Sequence, residues 1–135
     1  MKITVVSGGF DPIHSGHISY INAAKKYGEY VIIALNSDEW LVTKKGKAFM
    51  PFEERRAILE NLKSVDEVID FADDDKGSAM NALHKVKDKY PDAQITFCNG
   101  GDRGKDNIPE MEVEGINFEF SVGGDDKKNS CLLYT

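Results

Sequence analysis

Two histidines three residues apart, His14 and His17, stand directly behind a glycine-rich run in this 135-residue chain. The segment reads Ser7-Gly8-Gly9-Phe10-Asp11-Pro12-Ile13-His14-Ser15-Gly16-His17; it follows a β-rich run and opens a helical one. At that spacing both imidazoles reach one side of a first helical turn. Gly8 and Gly9 let the backbone approach a ligand closely, and a helix start aims unsatisfied amides at an anion. Gly16 leaves room between the imidazoles for a phosphate or a base. Two hydrogen-bond donors beside a helix amino end suit the charge that develops on a transferring phosphoryl group. Taken alone, an HxxH pair is also what a surface or capping position looks like, or half of a zinc site, although no third ligand is apparent near it. No GxGxxG follows the first apolar run, which disfavours a dinucleotide-binding oxidoreductase.

The elements that position this loop follow from hydrophobic patterning. Residues 3–7 read as a strand ended by Gly8-Gly9. Residues 15–26 read as a helix with Tyr20, Ala23, Ala24 and Tyr27 on one face and Gly28 as its stop. The unbroken apolar run 30–35 suits a buried parallel strand. A polar loop with Lys44, Lys45 and Lys47 comes next, then a helix over 52–62 started by Pro51. Strands are expected at 67–71, 94–98 and 118–122, and a helix capped by Ser78 over 78–90, closed before Pro91. Strands spaced by helices imply right-handed crossovers and an α/β fold, a Rossmann-like three-layer sandwich with a mainly parallel five-stranded sheet. Ligands in such sheets bind beyond the carboxyl ends of the strands, which directs attention to the loops after strands one, two, four and five. Residues 1–135 read as one domain, with no internal repeat and no dividing linker.

Composition limits the partners. The formal charge is −6 and the cations are scattered or locally clustered, which argues against a general nucleic-acid binder. A few local cations and backbone amides still suffice for a small phosphorylated ligand. No apolar run approaches the roughly 20 residues that a bilayer requires, and Met1-Lys2-Ile3 does not open like a signal peptide. Cys98 and Cys131 form neither a CxxC motif nor a disulfide framework, so both read as free thiols in a reducing compartment. The expectation is a cytoplasmic protein without membrane or nucleic-acid partners.

The stretch His14-Ser15-Gly16-His17 resembles the HxGH signature of the cytidylyltransferase-like nucleotidyltransferases. The resemblance extends through the run GGFDPIHSGHISYINAAKKYG, Asn36-Ser37-Asp38, Phe52-Glu53-Glu54-Arg55-Arg56 and Ser64-Val65-Asp66-Glu67-Val68, in the family's order. Within the family the chain is most similar to glycerol-phosphate cytidylyltransferases and heptose-phosphate adenylyltransferases. The resemblance implies Gly8, Gly9, Phe10, Asp11, His14, Gly16 and His17 as nucleotide contacts. It places Arg55 towards substrate or triphosphate, whereas Glu53-Glu54-Arg55-Arg56 alone reads equally as a solvated helix start. Lys44 or Lys47, with Lys47 preferred, would touch a phosphate; His14, His17, Lys47 and Arg55 form the expected catalytic set. Asn99-Gly100-Gly101-Asp102-Arg103 resembles the GGD segment of the adenylyltransferases, with Gly101 and Asp102 at a base, ribose or magnesium, or else in a plain turn.

The carboxyl end departs from the family pattern, in which a glycine, a branched aliphatic, a serine and two threonines open a helix on the triphosphate. Here Lys127-Lys128-Asn129-Ser130-Cys131-Leu132-Leu133 leaves Lys128 and Ser130 as contacts, with Cys131 a poor donor where Ser or Thr is usual. Gly9 also replaces a common Thr or Ser. The expected reaction is transfer of a nucleoside monophosphate, CMP from CTP by preference, onto a phosphorylated alcohol such as glycerol 3-phosphate, with Mg2+ as cofactor. ATP with a sugar phosphate such as heptose 1-phosphate is the alternative, and a nucleotide-binding module without turnover is the alternative of another class. The resemblance also implies a homodimer. His84 and the run Asp73-Asp74-Asp75 read as structural; Trp40 and Phe49, which bracket the lysine loop, read as packing for it, with an aromatic wall for the acceptor as the alternative.

Overall fold

Val, Ile and Leu dominate the strand runs of this chain, and pairing buries them completely. The computed structural model describes residues 1–100 and 109–122. Five strands, β1 (Lys2–Gly8), β2 (Tyr30–Leu35), β3 (Glu67–Ile69), β4 (Gln94–Gly100) and β5 (Ile116–Val122), form one sheet in the order β3-β2-β1-β4-β5. Every neighbouring pair is parallel. The expected mainly parallel five-stranded sheet is therefore parallel throughout.

Side chains alternate between its two faces. Ile3, Val5, Ile32, Ala34, Ile95 and Phe97 pack with Ala82, Leu83 and Val86 of α4 (Met80–Lys89). Val6, Val31, Ile33, Leu35 and Cys98 pack on the opposite face with Ile21 and Ala24 of α1 (Ser15–Ala24) and Leu59 of α3 (Phe52–Glu60). Helices on both faces give the three-layer sandwich. Burial of the Cys98 thiol, assisted by the Glu119 carboxylate, pushes its pKa up to about 12, so it is an inert core residue.

Several elements differ from the sequence expectation. The lysine-rich loop begins as a helix, α2 (Asp38–Lys45): Ser37 Oγ accepts from Trp40 N at 3.0 Å, Asp38 and Glu39 occupy the first turn, and Gly46 closes it at φ 89°. The helix expected to run to residue 26 ends at Ala24 and tightens into a 3-10 turn over Lys25–Tyr27, leaving Tyr27 exposed. The N-cap position of α4 is Ala79 rather than Ser78, although Ser78 Oγ accepts from the first helical amide, Met80 N, at 3.3 Å; the Ala79 amide donates to the buried Glu110 carboxylate at 2.8 Å. Asp73 and Asp74 are more than a solvated run. Asp73 accepts from Ser37 Oγ at 2.6 Å, and Asp74 holds the amides of Lys76 and Ser78 at 3.0 and 2.8 Å.

The strand order reverses direction between β1 and β4, so the crevice beyond their carboxyl ends is the ligand-binding position of this architecture. The loop from Gly8 to His14 opens there. The other end of β1 is closed by packing, where the chain turns from α1 into β2 at Gly28. A Cβ at Gly28 would lie 2.5 Å from Thr4 Oγ1 and 2.8 Å from Thr4 N. Its φ of −165° suits any residue, so space is the constraint. Gly28→Ala is expected to lower stability by about 1–3 kcal/mol, the usual cost of overpacking. A urea midpoint unchanged from that of the parent chain would refute this.

Candidate active site

The two histidines cap the helix they begin. His14 is the N-cap of α1, with extended backbone, and its Nδ1 accepts from Gly16 N at 3.0 Å. His17 returns the contact: its Nδ1 accepts from His14 N at 3.1 Å. This is a capping box built from imidazoles in place of hydroxyl and carboxylate. An Nδ1 that accepts carries no proton, so each neutral ring holds its hydrogen on Nε2. The His14 Nε2 atom is buried and has no partner among the described residues. A buried donor without a partner at the head of a helix is what an incoming anion oxygen would complete.

His17 is itself buried, lying 4.9 Å from the Phe10 ring and 4.3 Å from the His14 ring between centroids. Desolvation, then the neighbouring His14 and Lys45 charges, pulls its pKa from 6.5 down to about 3. It is therefore a neutral donor across the physiological range and contributes no formal charge. Positive charge near it comes from Lys45, whose Nζ donates to the Asp11 carbonyl and lies 4.0 Å from its carboxylate. Lys45, rather than the expected Lys47 or Lys44, is the lysine that contacts the glycine loop. Lys44 sits 5.5 Å from the Trp40 ring, while Lys45 and Lys47 sit 5.2 and 4.8 Å from the Phe49 ring.

Asp11 is fully buried and its carboxylate faces inward: Oδ2 accepts from Phe49 N at 2.6 Å and Oδ1 from Met50 N at 2.7 Å. It ties the segment after α2 to the glycine loop. Arg55, expected to face the ligand, is folded inward with a side chain at 0% exposure. Its guanidinium donates to Gly9 O and Asn36 O, both at 2.8 Å, to Met50 O at 3.0 Å and to Asp38 Oδ1 at 2.7 Å. Those acceptors belong to three separate stretches of chain, Asn36 and Asp38 sharing one. Gly9 itself is crowded, since a Cβ there would meet Leu41 Cδ2 of α2 at 2.6 Å.

Gly8, Gly9, Phe10, Asp11, His14, Gly16 and His17 are thus brought together around one loop, with Lys45 beside them. Lys47 lies further out on the exposed Phe49. Gly101, Asp102, Lys128, Ser130 and Cys131 lie outside the described residues. No group of three His, Cys, Asp or Glu side chains among the described residues gathers to hold a metal, and Asp11 already accepts two amides. These residues offer no protein cradle for the expected Mg2+. Among the described residues no helix is long and apolar enough to cross a membrane.

A parallel sheet with a glycine loop and a helix-capping imidazole pair at its switch point defines an α/β protein of the Rossmann-like class. A family model described as "Cytidylyltransferase-like" matches residues 5–120, and the chain belongs to that family of nucleotidyltransferases. It is 34% identical to the bifunctional protein HldE of Haemophilus influenzae over 96% of this chain, and spans 26% of that protein's length. It is 42% identical to glycerol-3-phosphate cytidylyltransferase of Bacillus subtilis over 51% of this chain and 54% of that one. The chain therefore covers from about a quarter to about half of these relatives. Among solved structures, a lipopolysaccharide core biosynthesis protein from Thermoplasma volcanium superposes with TM-score 0.65 at 25% identity, over 89% of this chain and 93% of the other. A bifunctional NMN adenylyltransferase/ADP ribose pyrophosphatase from Francisella tularensis, complexed with AMP and a manganese ion, shares the fold at TM-score 0.63 and 19% identity, over 88% of this chain and 36% of that one.

Two expectations follow. The depressed His17 pKa makes the folded state resist a proton that the unfolded chain accepts. Stability from this residue is full above about pH 6.5 and is lost as the pH falls towards 3. His17→Gln should flatten the dependence of Tm on pH in that window; equal slopes in both proteins would contradict it. Arg55→Met leaves a half-exposed carboxylate and three carbonyls without their donor, and should cost about 3 kcal/mol. A chemical denaturation midpoint within error of the parent's would show that the guanidinium holds nothing.

Proposed function

We propose that this chain transfers a nucleoside monophosphate from a nucleoside triphosphate onto the phosphate of a small phosphorylated acceptor, releasing pyrophosphate. The observation that carries the reading is the buried, unpartnered Nε2 of His14, oriented by its Nδ1 contact at the head of α1. Membership of the cytidylyltransferase-like family supports it.

In the proposed reaction an acceptor phosphate oxygen attacks the α-phosphorus, and the bond from that phosphorus to the α,β-bridging oxygen breaks. A phosphate monoester has its second pKa at about 6, so at neutral pH the nucleophile needs no general base. Catalysis then rests on positioning and charge complementarity. His14 and His17, whose Nδ1 atoms accept from backbone amides, donate to the phosphates through Nε2. Lys45, with Lys47 further out, supplies the formal charge. Arg55 and Asp11 act as positioning residues, fixing the loop in which the donors sit. Gly101, Asp102, Lys128 and Ser130 remain proposed contacts beyond the described residues. A divalent cation belongs to the reading as the companion of the triphosphate, neutralising part of its charge. A homodimer and a cytoplasmic location belong to the same reading.

The identity to a glycerol-3-phosphate cytidylyltransferase favours CTP with glycerol 3-phosphate. ATP with a sugar phosphate is favoured instead by the alignment to HldE proteins, which runs through 96% of this chain. The deciding experiment is pyrophosphate release with magnesium, using CTP and ATP separately against glycerol 3-phosphate and heptose 1-phosphate. One pairing should turn over, and His14→Ala should lower kcat by about 10²–10³-fold, the usual loss for one transition-state donor. Bound nucleotide with no release in any pairing would replace the enzyme with a binding module.

The pH profile is a separate check. Because His17 stays neutral down to about pH 3, the acid limb of kcat/KM should follow the acceptor's second phosphate ionisation near 6. Acceptors differing in that pKa should shift the limb; a limb that stays fixed across acceptors would assign it to the protein.

A further inference from the structure

We infer that Phe49 is an acceptor-contacting residue, whose ring carries the carbon skeleton of the phosphorylated acceptor and sets selectivity among acceptors. This rests on the transfer reading above and adds to it the place where the acceptor lies. Phe49 is 59% exposed, the most exposed large apolar side chain among the described residues. Yet the backbone beneath it is held tightly, because its own amide and that of Met50 both bind the buried Asp11 carboxylate, at 2.6 and 2.7 Å. An exposed aromatic ring on a mobile tip would need no explanation. One fixed from below to the loop that carries His14 and His17 is preorganised for contact.

The surroundings of the ring name the chemistry. Two ammonium groups, from Lys45 and Lys47, lie 5.2 and 4.8 Å from its centroid. Lys45 also donates to the Asp11 carbonyl and lowers the His17 pKa through its charge, so the cluster adjoins the imidazole pair. A ligand that uses this corner combines an anionic group for the lysines with an apolar face for the ring, which is the make-up of a phosphate on a compact carbon skeleton. Anchored between the lysines, its phosphate lies beside the imidazole donors, where attack is to occur. A rigid ring of carbons offers a broad C–H face to an aromatic, whereas a short open chain offers little. Phe49 therefore favours a cyclic phosphorylated acceptor over glycerol 3-phosphate.

The test compares the parent chain, Phe49→Ala and Phe49→Tyr for pyrophosphate release, with a pyranose 1-phosphate and glycerol 3-phosphate as acceptors and CTP and ATP as donors. Phe49→Ala should raise the acceptor KM about tenfold for the cyclic acceptor, leave the nucleotide KM and Tm unchanged, and narrow the ratio of kcat/KM between the two acceptors. Phe49→Tyr, which keeps the face, should restore the parent values. An unchanged acceptor KM in Phe49→Ala overturns the inference while the transfer reading stands. Equal rises in both KM values also overturn it, since they reveal only a support for the lysine stems. No turnover by the parent chain with any pairing overturns the transfer reading, and this inference with it.

Discussion

A single guanidinium, that of Arg55, ties the glycine loop, the end of β2 with the start of α2, and the segment after α2 to one point. Its donors reach the glycine loop at Gly9, the end of β2 at Asn36, the segment after α2 at Met50, and the first turn of α2 at Asp38. Carbonyls at the carboxyl ends of parallel strands point the same way and would otherwise be buried without donors. Arginine is suited to the task because its planar fork stays charged and addresses several acceptors at once, which a lysine cannot do. Asp11 performs the complementary service, accepting from amides where Arg55 donates to carbonyls. Between them the loop that presents the imidazoles is fixed from both sides without a ligand, so its donors need little reorganisation when an anion arrives.

The histidines show how local capping determines chemistry. Both Nδ1 atoms accept from backbone amides at the head of α1, which leaves the ring hydrogens on Nε2. Burial and the nearby Lys45 then keep His17 uncharged. The division of labour is clear: the rings provide direction, and the lysines provide charge. In a site meant for a strongly anionic ligand, two protonated imidazoles 4.3 Å apart would repel each other before any ligand came.

Much of this was legible in the residue string. The alternation of short apolar runs with helical stretches gave the sandwich, and the residues from Gly8 to His17 marked the loop. The helix α2 escaped notice because only Leu41 is buried in its eight residues, which leaves almost no periodicity to detect. Its punctuation was nonetheless present, in Ser37 before two acids and in two lysines before Gly46. The inward turn of Arg55 and Asp11 could not be read, because most of their partners are backbone atoms, up to 46 positions away, and a backbone carbonyl has no letter in a sequence. Lys45 was passed over in favour of Lys47 for a related reason: three lysines in four positions look alike until a helix end decides which one turns towards the loop.

The capping arrangement has a consequence for metal selectivity. A histidine that ligates zinc through Nε2 ordinarily carries its remaining hydrogen on Nδ1 and gives it to an oxygen. Here both Nδ1 atoms are already accepting from amides, so an Nε2 ligand would have to exist as an anionic imidazolate or break the start of α1. The HxxH spacing that invites a transition metal on paper is thereby closed to it in the fold. The same two hydrogen bonds that keep the ring hydrogens on Nε2 keep both imidazoles from serving as ordinary zinc ligands.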